Sequence, residues 1–146
     1  MESIAFTVNG TKHMLTSNVS ERAVLYDAIT KFSATTILAS SLQNKESMGM
    51  QILYKGSLKI GTYTLSNDPG LDSGNITFTY EDDNGYTYIQ DFTYPDQKIT
   101  ITEIGADYIK GTFSAKLSAI LPSGSQPVPD ITMTDGDFYA KAVPVN

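Results

Sequence analysis

The feature that most constrains this chain is a period-two alternation of apolar and polar residues, broken at short intervals by turn-forming residues. Ile4, Phe6 and Val8 alternate with Ala5 and Thr7, Asn9-Gly10 intervenes, and the alternation resumes from Thr11 to Thr16. Asn-Gly between two such runs marks a hairpin, because both turn residues must accept positive φ. Further strand-like runs follow at Thr35 to Leu42, Met48 to Tyr54, Gly61 to Leu65, Asn75 to Asp82, Tyr86 to Tyr94, Lys98 to Ile104, Tyr108 to Ile120 and Ile131 to Val143. About ten strands joined by short turns imply an all-β, mainly antiparallel fold, either a two-sheet β-sandwich or a flattened barrel. The many threonines and the nine tyrosines suit pleated, half-buried surfaces.

One segment departs from the alternation. Asn18 followed by Glu21 has the spacing of a capping box, and Leu25, Ala28, Ile29 and Phe32 then fall at helical intervals. A short helix over residues 19–31 and a strand Ala23 to Asp27 followed by a turn both fit.

The central hairpin permits a register argument. A two-residue turn at Asn84-Gly85 scatters the flanking aromatics over both faces. A three-residue loop, Asp83-Asn84-Gly85 with Gly85 left-handed, instead pairs Asp82 with Tyr86, Tyr80 with Tyr88 and Ile76 with Phe92. Ile76, Phe78, Tyr80, Tyr88, Phe92 and Tyr94 then share the apolar face, and Thr77, Thr79, Glu81, Thr87, Asp91 and Thr93 the wet one, with Ile89 the exception. A one-residue slip exchanges the faces, so the longer loop is the expected register. In the next connection, Pro95 suits a type I turn at Tyr94-Pro95-Asp96-Gln97. After Gly105-Ala106-Asp107, the residues Ile109, Phe113, Ala115, Leu117 and Ala119 line one face of a long strand, opposite Lys110, Thr112, Ser114, Lys116 and Ser118. Pro122 to Pro129 lacks the donors a ladder needs and reads as a surface loop.

A length of 146 residues suits one domain spanning 1–146, with room for a sizeable core. The net charge of -6, with basic residues scattered, argues against a nucleic-acid partner. No stretch approaches the roughly 20 apolar residues of a spanning helix, and Met1-Glu2-Ser3 does not begin a signal peptide. The absence of cysteine removes disulfides, thiol nucleophiles and thiolate metal sites.

Little in the sequence carries chemistry. His13 is the only histidine, so any Ser-His-Asp triad runs through it, yet it stands where an ordinary strand residue is expected. Glu81, Asp82, Asp83 and Asn84 offer hard oxygen ligands for calcium, but acidic tips also simply solvate hairpins. Asp68 and Asp72 read as loop residues, and Asp135-Gly136-Asp137 as a bulge or turn in the last strand. Asn9, Asn18 and Asn75 sit in Asn-X-Ser/Thr sequences, two of them where turn or cap chemistry already favours Asn. The expectation is no catalytic residue, no metal and no cofactor.

The ordered series Phe6-Thr7-Val8-Asn9-Gly10, Gly61-Thr62-Tyr63-Thr64-Leu65, Ile99 to Ile104 leading to Gly111-Thr112-Phe113-Ser114-Ala115, and Ile131 to Phe138 is similar to a family of small Bacteroidota envelope lipoproteins of unknown function. The resemblance implies a β-sandwich in the cell envelope or outside the cell, tethered in the full-length protein by an N-terminal lipid whose cysteine this sequence lacks. It implies no catalytic residues. The resulting expectation is a non-catalytic module that binds or scaffolds a glycan, peptide or envelope protein, with Tyr54, Tyr86 and Tyr139 as rim residues that stack on a ligand. The alternative is a small carboxylate-dependent hydrolase, in which two acids face one another across a cleft. Self-pairing through edge strands is a third reading.

Overall fold

The computed structural model describes residues 2–27, 32–65 and 75–142. All its regular elements are strands: β1 (Ser3–Val8), β2 (Thr11–Leu15), β3 (Ser17–Asp27), β4 (Phe32–Ser40), β5 (Ser47–Lys55), β6 (Gly61–Thr64), β7 (Asn75–Glu81), β8 (Thr87–Gln90), β9 (Lys98–Ile104), β10 (Tyr108–Ile120) and β11 (Ile131–Lys141). The strands form one antiparallel sheet in the order β2-β1-β11-β10-β8-β7-β5-β4-β3, with β9 also on β10 and β6 on β9. The sheet curls until β3 meets the end of β11 through a parallel bridge, Glu21 to Ala142, so that it nearly closes into a barrel. The near-closure encloses the core, while β2 and β6 are each paired on one side only. Among the described residues no helix is long and apolar enough to cross a membrane.

Local turn chemistry behaves as the sequence predicts. Asn9 and Gly10 take φ of 51° and 78° and join β1 to β2. At the central hairpin Gly85 has φ of 89°, the Asp82 N–H donates to Tyr86 O at 3.0 Å, and Tyr80 faces Tyr88. Ile76, Phe78, Tyr80 and Tyr88 are buried while Ile89 stands on the outside. Asp135, with φ of 50°, marks the bulge in β11. On β10, Ile109, Phe113, Ala115 and Leu117 enter the core. Gly111 lies between them under the Phe138 ring, where a Cβ would come within 2.5 Å of that ring and 2.2 Å of Thr100 O.

Of the two readings of residues 19–31 the strand holds: β3 pairs with β4 from Ser17 to Asp27 and takes in Ala23 to Asp27, while Ala28 to Lys31 lie outside the described residues. Asn18 caps no helix; its φ of 52° accompanies a register shift between Ser17 and Ser20. Isolated helices of this length are marginal, and a strand that completes a sheet recovers both ladder hydrogen bonds and core packing.

One expectation is corrected, in the far half of the central hairpin. Ile76 does not pair with Phe92, because β8 leaves β7 after Thr79–Ile89 and continues on β10 instead. Gln90 fills the gap: its Oε1 accepts from Phe78 N at 2.7 Å and its Nε2 donates to Ile76 O at 2.8 Å, replacing the ladder with a side chain. Beyond it Asp91 accepts from Thr93 N and Oγ1 and folds the chain into a turn. Those two hydrogen bonds hold the Asp91 carboxyl below its ordinary pKa. Phe92 is thereby 66% exposed, and Tyr94 lies on the outer side under Lys116 Nζ at 5.4 Å. The turn at Pro95-Asp96 follows, as expected. Gln97 is buried beneath these turns and its Nε2 donates to Asp91 O and Tyr94 O.

Candidate functional site

Three places on this frame bring functional groups together. The first is built on the Asp82–Tyr86 turn. Asp82 Oδ1 accepts from Asn84 N at 3.0 Å and Tyr86 N at 2.8 Å, and Oδ2 from Tyr88 Oη at 3.2 Å. These bonds employ its oxygens in fastening the tip, and they hold Tyr86 at the mouth of a groove of about 690 Å³. The opposite wall is the end of β10 at Ile120 and the loop after it, with Pro122, Ser125, Pro127 and Val128. Tyr86 is 43% exposed and Ile120 54%, so the groove offers an aromatic ring and aliphatic surface to solvent.

The second place is a buried polar network. Glu46, in the loop between β4 and β5, is 6% exposed. Its Oε2 accepts from Tyr80 Oη and lies 2.7 Å from His13 Nδ1. The His13 ring stacks on Phe6, with centroids 5.3 Å apart and planes 4° from parallel, and Phe6 meets the edge of Tyr80. Burial, then the hydrogen bond and charge of Glu46, raise the Tyr80 pKa above the ordinary tyrosine value. The ordinary strand residue His13 thus has a carboxylate partner. A nucleophilic triad needs a hydroxyl on the other imidazole nitrogen as well, and among the described residues none is hydrogen-bonded there.

The third place is a cavity of about 260 Å³ near the β3–β11 seam, whose lining includes Glu21, Thr35, Tyr54, Leu58, Asp107 and Tyr108. Glu21 pairs with Ile37, a fully buried residue, and so points to the interior. Only 8% exposed, it has no hydrogen-bond or ion-pair partner among the described residues, and desolvation raises its carboxyl pKa above the usual glutamate value. Beside it, Thr35 Oγ1 and Tyr54 Oη share a buried hydrogen bond of 2.7 Å. Burial also raises the Tyr54 hydroxyl, partly offset by the Thr35 bond.

The three tyrosines singled out from the sequence are therefore dispersed. Tyr86 stands at the groove. Tyr54 is not a rim residue: its ring is 4% exposed, because β5 carries it on the same inner face as Met50 and Ile52. Tyr139 is half-buried on the outside of β11, its ring 5.3 Å from that of Tyr108 with Lys110 Nζ 4.8 Å above it.

A family model described as Domain of unknown function (DUF6252) matches residues 14–142. The chain belongs to the DUF6252 family. That match spans most of the chain, as the resemblance read from the strand motifs does, and the DUF6252 description assigns no activity. No curated protein and no solved structure matches the chain.

Within this DUF6252 domain no group of three or more His, Asp or Glu side chains is arranged to hold a metal ion among the described residues. Asp68 and Asp72 lie outside them. Sequence reasoning missed Glu46 altogether and noticed Glu21 only through its capping-box spacing from Asn18. Glu21 carried no clear signal, since its strand neighbour of like parity, Ala23, is exposed. Glu46 carried none, since its partners come from β2 and β7.

Proposed function

We propose that this domain is a non-catalytic binding module of the cell envelope, holding an extended ligand, a glycan or peptide, in the groove between Tyr86 and the Pro122–Pro129 loop. The observation that carries the reading is the groove itself, with its exposed ring and aliphatic wall. Exposed aromatic and aliphatic surface beside a few polar groups is the usual character of a ligand cleft. Tyr86 supplies the stacking face, and Ser125 and Gln126 the polar contacts. Proline limits the conformations of the opposite wall, so less order is lost on binding. The similarity to small Bacteroidota envelope lipoproteins supports the envelope location and an N-terminal lipid tether.

The test is a glycan array and a peptide library screened with the wild-type chain and with Tyr86→Ala. A ligand class held at least tenfold more weakly by the variant, with unchanged far-ultraviolet circular dichroism, supports the reading. Equal binding by both chains, or none by either, overturns it. Fractionation of cells making the full-length protein tests location: recovery in the cytosol removes the envelope assignment.

A further inference from the structure

The Glu21 cavity is a different kind of place from the Tyr86 groove, and none of its lining residues belongs to that groove. Its distinguishing group is an interior carboxyl that the fold leaves without a partner. Buried carboxylates are ordinarily paired, because removing the charge from water is unfavourable by several kcal/mol. Glu46 in the same molecule follows that rule, whereas Glu21 has no partner among the described residues and its carboxyl oxygens stay within reach of solvent. The three ion pairs among the described residues are His13–Glu46, Lys110–Glu103 and Lys141–Glu2, so none of their cations serves Glu21. The cavity wall adds a second acid, Asp107, the ring of Tyr108, and the aliphatic side chains of Leu58, Ile104 and Ile109. An acid at one end of an apolar, aromatic-bordered hollow matches an organic cation on a short apolar stem: charge meets the carboxylate, and stem meets ring and aliphatic wall.

We propose that the Glu21 cavity is a binding site for a primary alkylammonium group, with Glu21 as its counter-ion and the Thr35–Tyr54 hydroxyl pair as its polar neighbour. The volume of about 260 Å³ leaves room for a lysine-sized amine. Strand pairing places the site: the Glu21 backbone pairs with Ile37 on one side and bridges to Ala142 on the other, and the Ala142 N–H also donates to Asp107 O at 2.7 Å. Ala142, the residue after β11, therefore anchors the backbone at both acids. Burial raises the Glu21 pKa, and a cation bound beside the carboxyl would favour its charged form and lower that pKa again.

The probe is n-pentylamine, with n-pentanol as the uncharged control, titrated at pH 7.5 into the isotopically labelled full chain and followed by amide and carboxyl nuclear magnetic resonance. Saturable shifts at Glu21, Asp107, Tyr108 and Ala142 with the amine, at least tenfold weaker with the alcohol, are expected. Glu21→Gln is expected to bind the amine at least tenfold more weakly. On the wild-type chain alone, saturating amine must lower the apparent pKa of the Glu21 carboxyl, a readout that depends on no variant. Equal affinity for amine and alcohol, shifts confined to other regions, no saturable binding, or an unmoved Glu21 titration each overturns the proposal. None of these results bears on ligand binding at Tyr86.

Discussion

Glu46 and Glu21 are interior glutamates of almost equal burial, 6% and 8% exposed, in opposite circumstances. Glu46 receives the Tyr80 hydroxyl and the His13 imidazole, and its loop is further tied by a bond from Glu46 N to Asn44 Oδ1 at 2.8 Å. Glu21 receives nothing among the described residues and faces a cavity. Burial alone therefore does not tell what an acid is for. The partnered one fastens a loop to two strands, whereas the unpartnered one is the proposed counter-ion of a ligand.

The largest effect that can break this comparison is removal of the partnered acid. Glu46→Leu leaves the Tyr80 hydroxyl and the His13 imidazole without an acceptor and is expected to destabilise the fold by about 3 kcal/mol in urea unfolding. A loss under about 1 kcal/mol would mean that the network is incidental.

For Glu21 the sign reverses. Its folded pKa lies above the unfolded value, so the native state holds the proton more tightly and wild-type stability falls as pH rises through the unfolded value toward the folded one. Glu21→Gln removes this dependence. At pH 8 it is expected to be more stable than wild type by about 1 kcal/mol, raising Tm by roughly 2–4 °C, and the advantage is expected to vanish near pH 4. An advantage constant with pH would show that the carboxyl's ionisation is not the cause.

The smallest effect sharpens the Glu46 side. Tyr80→Phe alone is expected to cost about 1 kcal/mol, since His13 still meets the carboxylate. In a Glu46→Leu background the same change should be nearly neutral, a coupling of at least about 0.5 kcal/mol in a double-mutant cycle. Additive losses would separate the two groups energetically.

Much of the fold was legible because its signals are local. Asn9-Gly10 and Asp83-Asn84-Gly85 specify their turns through the φ values their own residues accept, and parity along β7 and β10 assigns the inner face. Legibility ended where one strand serves two neighbours. Nothing in Thr87 to Tyr94 announces that β8 leaves β7 for β10, so Phe92 was assigned to the core face that Gln90 closes off. Likewise the Asn18–Glu21 spacing is equally that of a helix cap and of a bulged strand, and only pairing with β4 decides between them.

The amino-acid sequence by itself determined an antiparallel β fold, the register of its central hairpin and the wet face of its longest strand, because alternation and turn chemistry act between residues a few positions apart. Tertiary structure alone decided which acids are buried and which of them is satisfied. Glu46 finds its partners 33 and 34 residues away, and Glu21 finds none among the described residues. Whether an interior charge is neutralised depends on which distant strands the closing sheet brings beside it, a property that no local pattern encodes.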